Sequence, residues 1–134
     1  MKVDGACHCS QITYSAEIDT DKVLICHCTD CQALSGSAYR SVAFTLEDGF
    51  KLISGEPKIY IKIAESGRER AQAFCSNCGS AIYATSVGDG PKTYGLRLGT
   101  ITQRGELSPG RQIWCRSSQS WTANLNTLPK TETQ

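Results

Sequence analysis

Apolar and polar residues alternate along several short stretches of the chain, a pattern typical of β-strands that bury one face. The sequence KIYIKI at positions 58–63 is the clearest example. Stretches rich in Val, Ile, Thr, Tyr and Phe predict strands at residues 12–18, 41–46, 58–63, 71–74, 81–85, 93–98 and 112–115. Residues 30–35 alone predict a helix, a short one that Gly36 would end. We therefore expect a mainly β fold of short antiparallel strands with one short helical turn.

Length and composition are those of one globular domain. The chain has 134 residues, of which 40% are hydrophobic, and a formal net charge of +1. We expect a single domain over residues 1–134, with residues 128–134 as a flexible tail. Lysine and arginine are spread along the sequence, which argues against a nucleic-acid or membrane-surface partner. Because the sequence also shows no signal peptide and no apolar stretch of membrane-spanning length, we expect a cytoplasmic protein.

The chain contains eight cysteines, and seven of them fall into three local groups. The groups are CHC at residues 7–9, CHCTDC at residues 26–31 and CSNC at residues 75–78, whereas Cys115 stands alone. A disulfide framework is one explanation, but such frameworks are typical of exported proteins. Thiolates clustered at short spacing in a reducing compartment instead favour metal binding, and zinc is the commonest metal in such sites.

Each outer group has a spacing that suits a metal ion. In extended backbone, residues two positions apart point to the same face, so Cys7 and Cys9 can contact one ion together. The C-x-x-C turn at residues 75–78 brings two sulfurs close to each other, and Gly79 permits the sharp bend that follows. These two pairs together would form a closed site of four cysteines, which is the usual composition of a structural zinc site.

The middle group offers three sulfurs within six residues, from Cys26, Cys28 and Cys31. Three protein ligands leave one position of a tetrahedral zinc ion open to water or substrate. If a helical turn starts near residue 29, its amide groups are expected to lower the thiol pKa of Cys28 and Cys31. The cysteine count therefore predicts two metal ions in each chain.

Spacing alone does not decide which cysteines share an ion. In the other arrangement, Cys26 and Cys28 would join the 75–78 pair, and Cys31 would join the 7–9 pair. Cys115 could also act as a fourth ligand of the second site, although the simpler interpretation is a buried small apolar residue in a strand. His8 and His27 each lie between two cysteines, so in extended backbone they point away from the metal.

The cysteine pattern and the residues around it resemble one known family. CHCTDCQALSGS at residues 26–37 and FCSNCGS at residues 74–80 carry the resemblance, together with the preceding C-x-C of residues 7–9. On these motifs the chain is similar to the glutathione-dependent formaldehyde-activating family, also called the GFA/CENP-V family. The resemblance extends over nearly the whole chain, from residue 5 to residue 129.

The resemblance implies both the ligand sets and an activity. It implies a structural zinc bound by Cys7, Cys9, Cys75 and Cys78. It implies a second, catalytic-type zinc bound by Cys26, Cys28 and Cys31. The implied fold is mostly β, and the implied activity is that of a carbon–sulfur lyase that forms or cleaves S-(hydroxymethyl)glutathione-type adducts. Glutathione would then be a co-substrate, and the partners would be a small thiol and an aldehyde. No catalytic residue beyond the open zinc site is assigned.

Among the departures from the usual family pattern, two single positions bear on the sites. Ser10 stands where members usually have Gly, a change that is compatible with a strand, and Gln112 stands where many members have His. The second departure leaves the acid or base of the reaction unassigned. Two other functions remain open: a non-catalytic zinc module that binds a protein partner, and a thiol-based metal or redox sensor.

Overall fold

A computed structural model describes all residues from 1 to 134. It contains eight β-strands and one α-helix, α1, at Thr29–Ser35. Four short 3-10 helices, the longest at Ser120–Thr127, occupy part of the chain after residue 97. No helix is both long enough and apolar enough to span a membrane. The strands are β1 Lys2–Ala6, β2 Thr13–Cys26, β3 Arg40–Ser54, β4 Lys58–Ile63, β5 Glu69–Phe74, β6 Ala81–Ser86, β7 Gly95–Arg97 and β8 Arg111–Ile113.

The strands form one sheet in the order β1-β2-β3-β7-β6-β5-β4, and β8 pairs with β2 beside this path. Every pairing is antiparallel except that of β8 with β2, which is parallel. Strand β2 is long enough to pair with β1 through its first five residues and with β8 through its last three. The sheet therefore places Cys26, the last residue of β2, between β3 and β8.

The mainly β fold with one short helix is confirmed. The helix ends at Gly36, whose φ of 63° is the left-handed conformation that glycine adopts without steric cost. Two strands are longer than the sequence predicts, with 14 residues in β2 and 15 in β3. The strand predicted at 112–115 is wrong at its end. It stops at residue 113 because Trp114 has a φ of 56° and a 3-10 helix begins at Cys115.

The buried side chains form two clusters, and each contains cysteines. The larger cluster has 13 buried residues, including Tyr14, Ile82 and Leu96, and both Cys7 and Cys75 belong to it. The smaller cluster consists of Leu24, Cys26 and Val42, with Cys28 and Cys31 packed against it. One cysteine group therefore lies within the main core, whereas the other lies in a separate and shallower cluster.

Candidate metal centres and the adjacent cavity

The first cysteine group is assembled from two tight turns. After β1, the Ser10 amide donates to the Cys7 carbonyl at 3.0 Å, and the Ile12 amide donates to the Cys7 sulfur at 3.3 Å. After β5, the Gly79 amide donates to the Cys75 carbonyl at 2.8 Å. Gly79 has a φ of 77°, as expected for the residue that ends a C-x-x-C turn. The turns bring two remote pairs of cysteines together.

The sulfur positions of this group fit a tetrahedral metal ion. The Sγ atoms of Cys7, Cys9, Cys75 and Cys78 all lie within 4.8 Å of one another. Cys9 Sγ is 3.6 Å from Cys7 Sγ and 3.7 Å from Cys75 Sγ. Because a Zn–S bond is about 2.3 Å, the sulfurs of a tetrahedral site lie about 3.8 Å apart. The two measured separations are therefore close to the edge of a zinc–thiolate tetrahedron.

Hydrogen bonds favour the thiolate form of two cysteines in this group, Cys9 and Cys78. The hydroxyl of Ser80 lies 3.2 Å from Cys78 Sγ and is the main reason that the pKa of Cys78 is lowered to about 5. The Asn77 side chain lowers the pKa of Cys9 in the same way. Metal ions bind thiolates rather than thiols, so these hydrogen bonds prepare the group for a cation.

The second group lies where β2 passes into α1. Cys26 ends β2, Cys28 is the N-cap of the helix and Cys31 lies in its first turn. The amide of Cys31 donates to Cys28 Sγ at 3.2 Å, so the sulfur acts as the capping acceptor. The three Sγ atoms lie within 4.8 Å of one another. We call Cys26, Cys28 and Cys31 the cysteine trio.

The pKa of Cys31 differs from the sequence expectation. The helix amides were expected to lower it, but hydrogen bonding to the Cys26 thiol, together with burial, raises the pKa of Cys31 far above its usual value. The same thiol pair lowers the pKa of Cys26. Three sulfurs this close cannot all ionise unless a cation balances them. A soft or borderline divalent metal that displaces the protons fits this set of donors.

A cavity of about 230 Å³ opens beside the cysteine trio. Its lining combines the three cysteines with apolar side chains and with a group of cations. Phe44 and Trp114 form part of the apolar wall, and the cations are Arg40, Lys62, Arg70 and Arg97. The clustered sulfurs are thus accessible from one side, and positive charge surrounds the approach to them.

Sequence reasoning missed the three arginines because they are far apart in the chain. Arg40 lies at the start of β3, Arg70 lies in β5 and Arg97 ends β7. Sheet pairing brings them to one cavity, and an even spread of basic residues along the sequence does not reveal this. The sequence does contain a signal for Arg40. It precedes the buried Val42 by two positions, so its side chain points to the same side of β3.

His27 packs against the opposite side of the cysteine trio. This residue is 2% exposed, and its Nε2 lies 2.6 Å from the side-chain oxygen of Gln112 in β8. Neither His27 nor His8 belongs to a group of clustered donors, which agrees with the expectation that both point away from the metal. His8 is exposed, and its amide donates to Ser80 Oγ.

Cys115 is not part of the cysteine trio. It is exposed, so the interpretation as a buried apolar residue is wrong. It lines a different depression, on the side of His27 and Gln112, and its sulfur is not clustered with those of the trio. Cys115 lies away from the trio because Trp114 adopts a left-handed conformation, which turns the chain out of β8 before Cys115. The protein therefore offers three sulfurs to the second site.

Comparison with known proteins agrees with this architecture. The family model described as glutathione-dependent formaldehyde-activating enzyme matches residues 2–117. The chain belongs to this family. The crystal structure of a Rhodobacter sphaeroides protein is similar, with a TM-score of 0.61 and 16% sequence identity. The similarity covers 82% of this chain and 99% of that chain, and at this identity it shows the fold alone. No curated protein gives a significant match.

The two departures from the glutathione-dependent formaldehyde-activating family pattern can now be placed. Ser10 does not lie in a strand, in contrast to the sequence expectation. It lies in the turn after Cys9 and has a φ of 63°. This left-handed conformation explains why glycine suits the position. Gln112 contacts the ring of His27 on the side away from the cysteine trio. It supports the segment that carries the cysteines and does not line the arginine-rich cavity.

Proposed function

We propose that this protein is a zinc-dependent carbon–sulfur lyase that forms or cleaves the adduct of a thiol, such as glutathione, with a small aldehyde. The observation that carries the proposal is the cysteine trio, which offers three clustered sulfurs beside an open cavity while Cys115 stays away. Three thiolates leave a fourth position on a tetrahedral ion free for a ligand. Membership of the glutathione-dependent formaldehyde-activating family supports this choice of chemistry.

In the reaction, the thiol sulfur attacks the carbonyl carbon, an S–C bond forms, and the thiol proton ends on the former carbonyl oxygen. Zinc bound at the trio would supply a centre that favours the thiolate form of a thiol at neutral pH. Cys26, Cys28 and Cys31 hold that centre, and α1 fixes two of them through the N-cap contact between Cys31 and Cys28.

We assign the group of Cys7, Cys9, Cys75 and Cys78 to a structural zinc. Its four sulfurs supply a complete tetrahedron, and Cys7 and Cys75 are buried in the main core with exposures of 3% and 2%. A site closed by four protein ligands has no open position for a substrate. Its role is to connect the N-terminal turn to the turn that follows β5.

The experiment that tests the proposal measures adduct exchange in the zinc-loaded protein. Glutathione and ¹³C-formaldehyde are mixed, and two-dimensional NMR exchange spectroscopy gives the rate at which the free aldehyde and the adduct interconvert. We expect the protein to accelerate this exchange, Cys31→Ser to abolish the acceleration, and Cys115→Ser to preserve it. A protein with two bound zinc ions and no effect on the rate contradicts the proposal.

A non-catalytic role in binding a protein partner is the second candidate, and one observation favours it. Strand β4 lies at the edge of the sheet and exposes apolar side chains, with Ile59 at 44%, Ile61 at 42% and Ile63 at 69%. Edge strands of this kind can accept an added strand from another chain. If Ile61→Lys leaves adduct exchange unchanged but abolishes association with a partner, the edge has a role separate from the chemistry.

A further inference from the structure

The cavity beside the cysteine trio has more positive charge than the trio requires. Sheet pairing sets this arrangement: Arg40 of β3 is the cross-strand partner of Cys26, and Val42, two residues on, is the partner of Arg97 in β7. Directly paired residues of adjacent strands share one face, and so do residues two apart in a strand. Arg40 and Arg97 therefore lie on the same face as Cys26.

The polar contacts of these arginines are incomplete. The side-chain oxygen of Gln72 accepts from Arg97 Nη2 at 2.6 Å and from Arg40 Nη1 at 3.5 Å. One neutral amide thus serves two guanidinium groups. The Nε atoms of Arg40 and Arg97 are buried and have no hydrogen-bond partner, and Arg40 as a whole is only 5% exposed. Such donors are costly to bury unless an acceptor pairs with them.

No carboxylate of the protein balances the three arginines. The cavity lining includes Arg70 as the third arginine and contains no Asp or Glu. Its fourth cation, Lys62, already pairs with Asp30 at 2.9 Å. Three thiolates with one divalent ion carry a net charge of −1, so three arginines leave a surplus of two positive charges. Burial, followed by the charge of Arg40, lowers the pKa of Arg97 to about 9, the direction expected for a buried cation.

We propose that this cavity binds the carboxylate of the thiol ligand, with Arg97 and Arg70 as the contacting cations and Arg40 between them and the trio. Guanidinium groups bind carboxylates through paired hydrogen bonds, which fix orientation as well as affinity. The ligand class is thus a carboxylate-bearing thiol, held by its sulfur at the trio and by its carboxylate in the cavity. This inference rests on the proposed function, because it specifies the substrate of the same site.

The test compares two thiols that differ in one charge, 3-mercaptopropionate and its methyl ester. Isothermal titration of the zinc-loaded protein gives both affinities, and mass spectrometry confirms two zinc ions per chain in every variant. We expect the acid to bind about 10- to 100-fold more tightly than the ester, as for a charge-assisted hydrogen-bonded pair. Arg97→Gln should reduce the preference to about threefold or less and leave the affinity for the ester unchanged.

Arg111→Gln is the matched control, since Arg111 is exposed and does not line the cavity; it should keep the full preference. Arg70→Gln is the second variant, because Arg70 is less buried than Arg40 and its loss disturbs the core less. Equal affinities of the wild type for acid and ester overturn the inference but leave the proposed function standing. Equal weakening of both thiols by Arg97→Gln also overturns it, and shows that the arginines only balance the metal site. If neither thiol binds, the proposed function fails as well.

Discussion

The four-cysteine group connects distant parts of the chain, and this sets the size of the effect when it is broken. Cys9 and Cys75 are 66 residues apart, whereas Cys26 and Cys31, the ends of the trio, are 5 residues apart. A crosslink stabilises the fold by an amount that rises with the logarithm of the loop it closes. The ratio of these two loop lengths corresponds to a difference of about 2 kcal/mol in the free energy of unfolding.

We therefore expect Cys78→Ser to lower the free energy of unfolding by about 2 kcal/mol more than Cys31→Ser. Cys78 is the suitable ligand to change, since it is only half-buried and serine differs from cysteine by a single atom. Each variant should retain about one zinc ion per chain. Urea unfolding followed by circular dichroism measures the stability, and mass spectrometry measures the metal content.

Cys115→Ser is the control, because Cys115 is exposed and belongs to neither cysteine group. It should keep two zinc ions and the wild-type unfolding midpoint. Equal destabilisation by Cys78→Ser and Cys31→Ser would refute the assignment of separate structural and open sites. Retention of two zinc ions in Cys78→Ser would refute the four-cysteine ligand set itself.

Three further predictions concern the fold. Ser10→Gly should raise the free energy of unfolding by about 0.5–1 kcal/mol, because Ser10 has a φ of 63°, which glycine adopts without steric cost. Ser10→Ala, measured by the same urea unfolding, should give no gain in stability. Gly5→Ala should destabilise the protein by about 3 kcal/mol or more, since its Cβ would lie 2.1 Å from the Tyr14 ring; an unchanged thermal midpoint would contradict this. Burial raises the pKa of Tyr14 to about 12, so its contribution to stability is complete below pH 10 and is lost as the pH rises towards 12. The difference in unfolding free energy between wild type and Tyr14→Phe should therefore shrink by about 2–3 kcal/mol over that interval, and a constant difference would show that Tyr14 does not titrate this way.

Alternation along the chain predicted most of the sheet because most strands bury one face. It missed β1, Lys2–Ala6, whose short sequence contains only two buried residues. It also ended β2 too early, because residues 19–22 are polar and poorly buried. There the strand continues past an irregularity in its pairing with β3, between Ile18 and Val23. Local polarity cannot predict a strand that is maintained by its neighbours.

The two cysteine groups could be predicted in part. Spacing alone left two ways of dividing seven cysteines, and the family resemblance favoured the division in which the sulfurs are clustered in the structure. The arginines of the cavity could not be predicted, since residues 40, 70 and 97 meet only through the order of the strands. Local motifs in a sequence identify ligands, but charge placed by long-range pairing requires the fold.

The position of Gln112 shows why the replacement of His at this position leaves the cysteine trio intact. The two sides of the β2 end have different environments, with the trio facing the arginine-rich cavity and His27 facing β8. Gln112 makes its 2.6 Å contact with His27, whose neighbours in the chain are Cys26 and Cys28. A side chain in this position can orient the backbone between two sulfurs, but it lies on the wrong side to contact a ligand in the cavity. Under the proposed function, proton transfer to a ligand in the cavity would come from solvent or from residues that line the cavity, and not from Gln112.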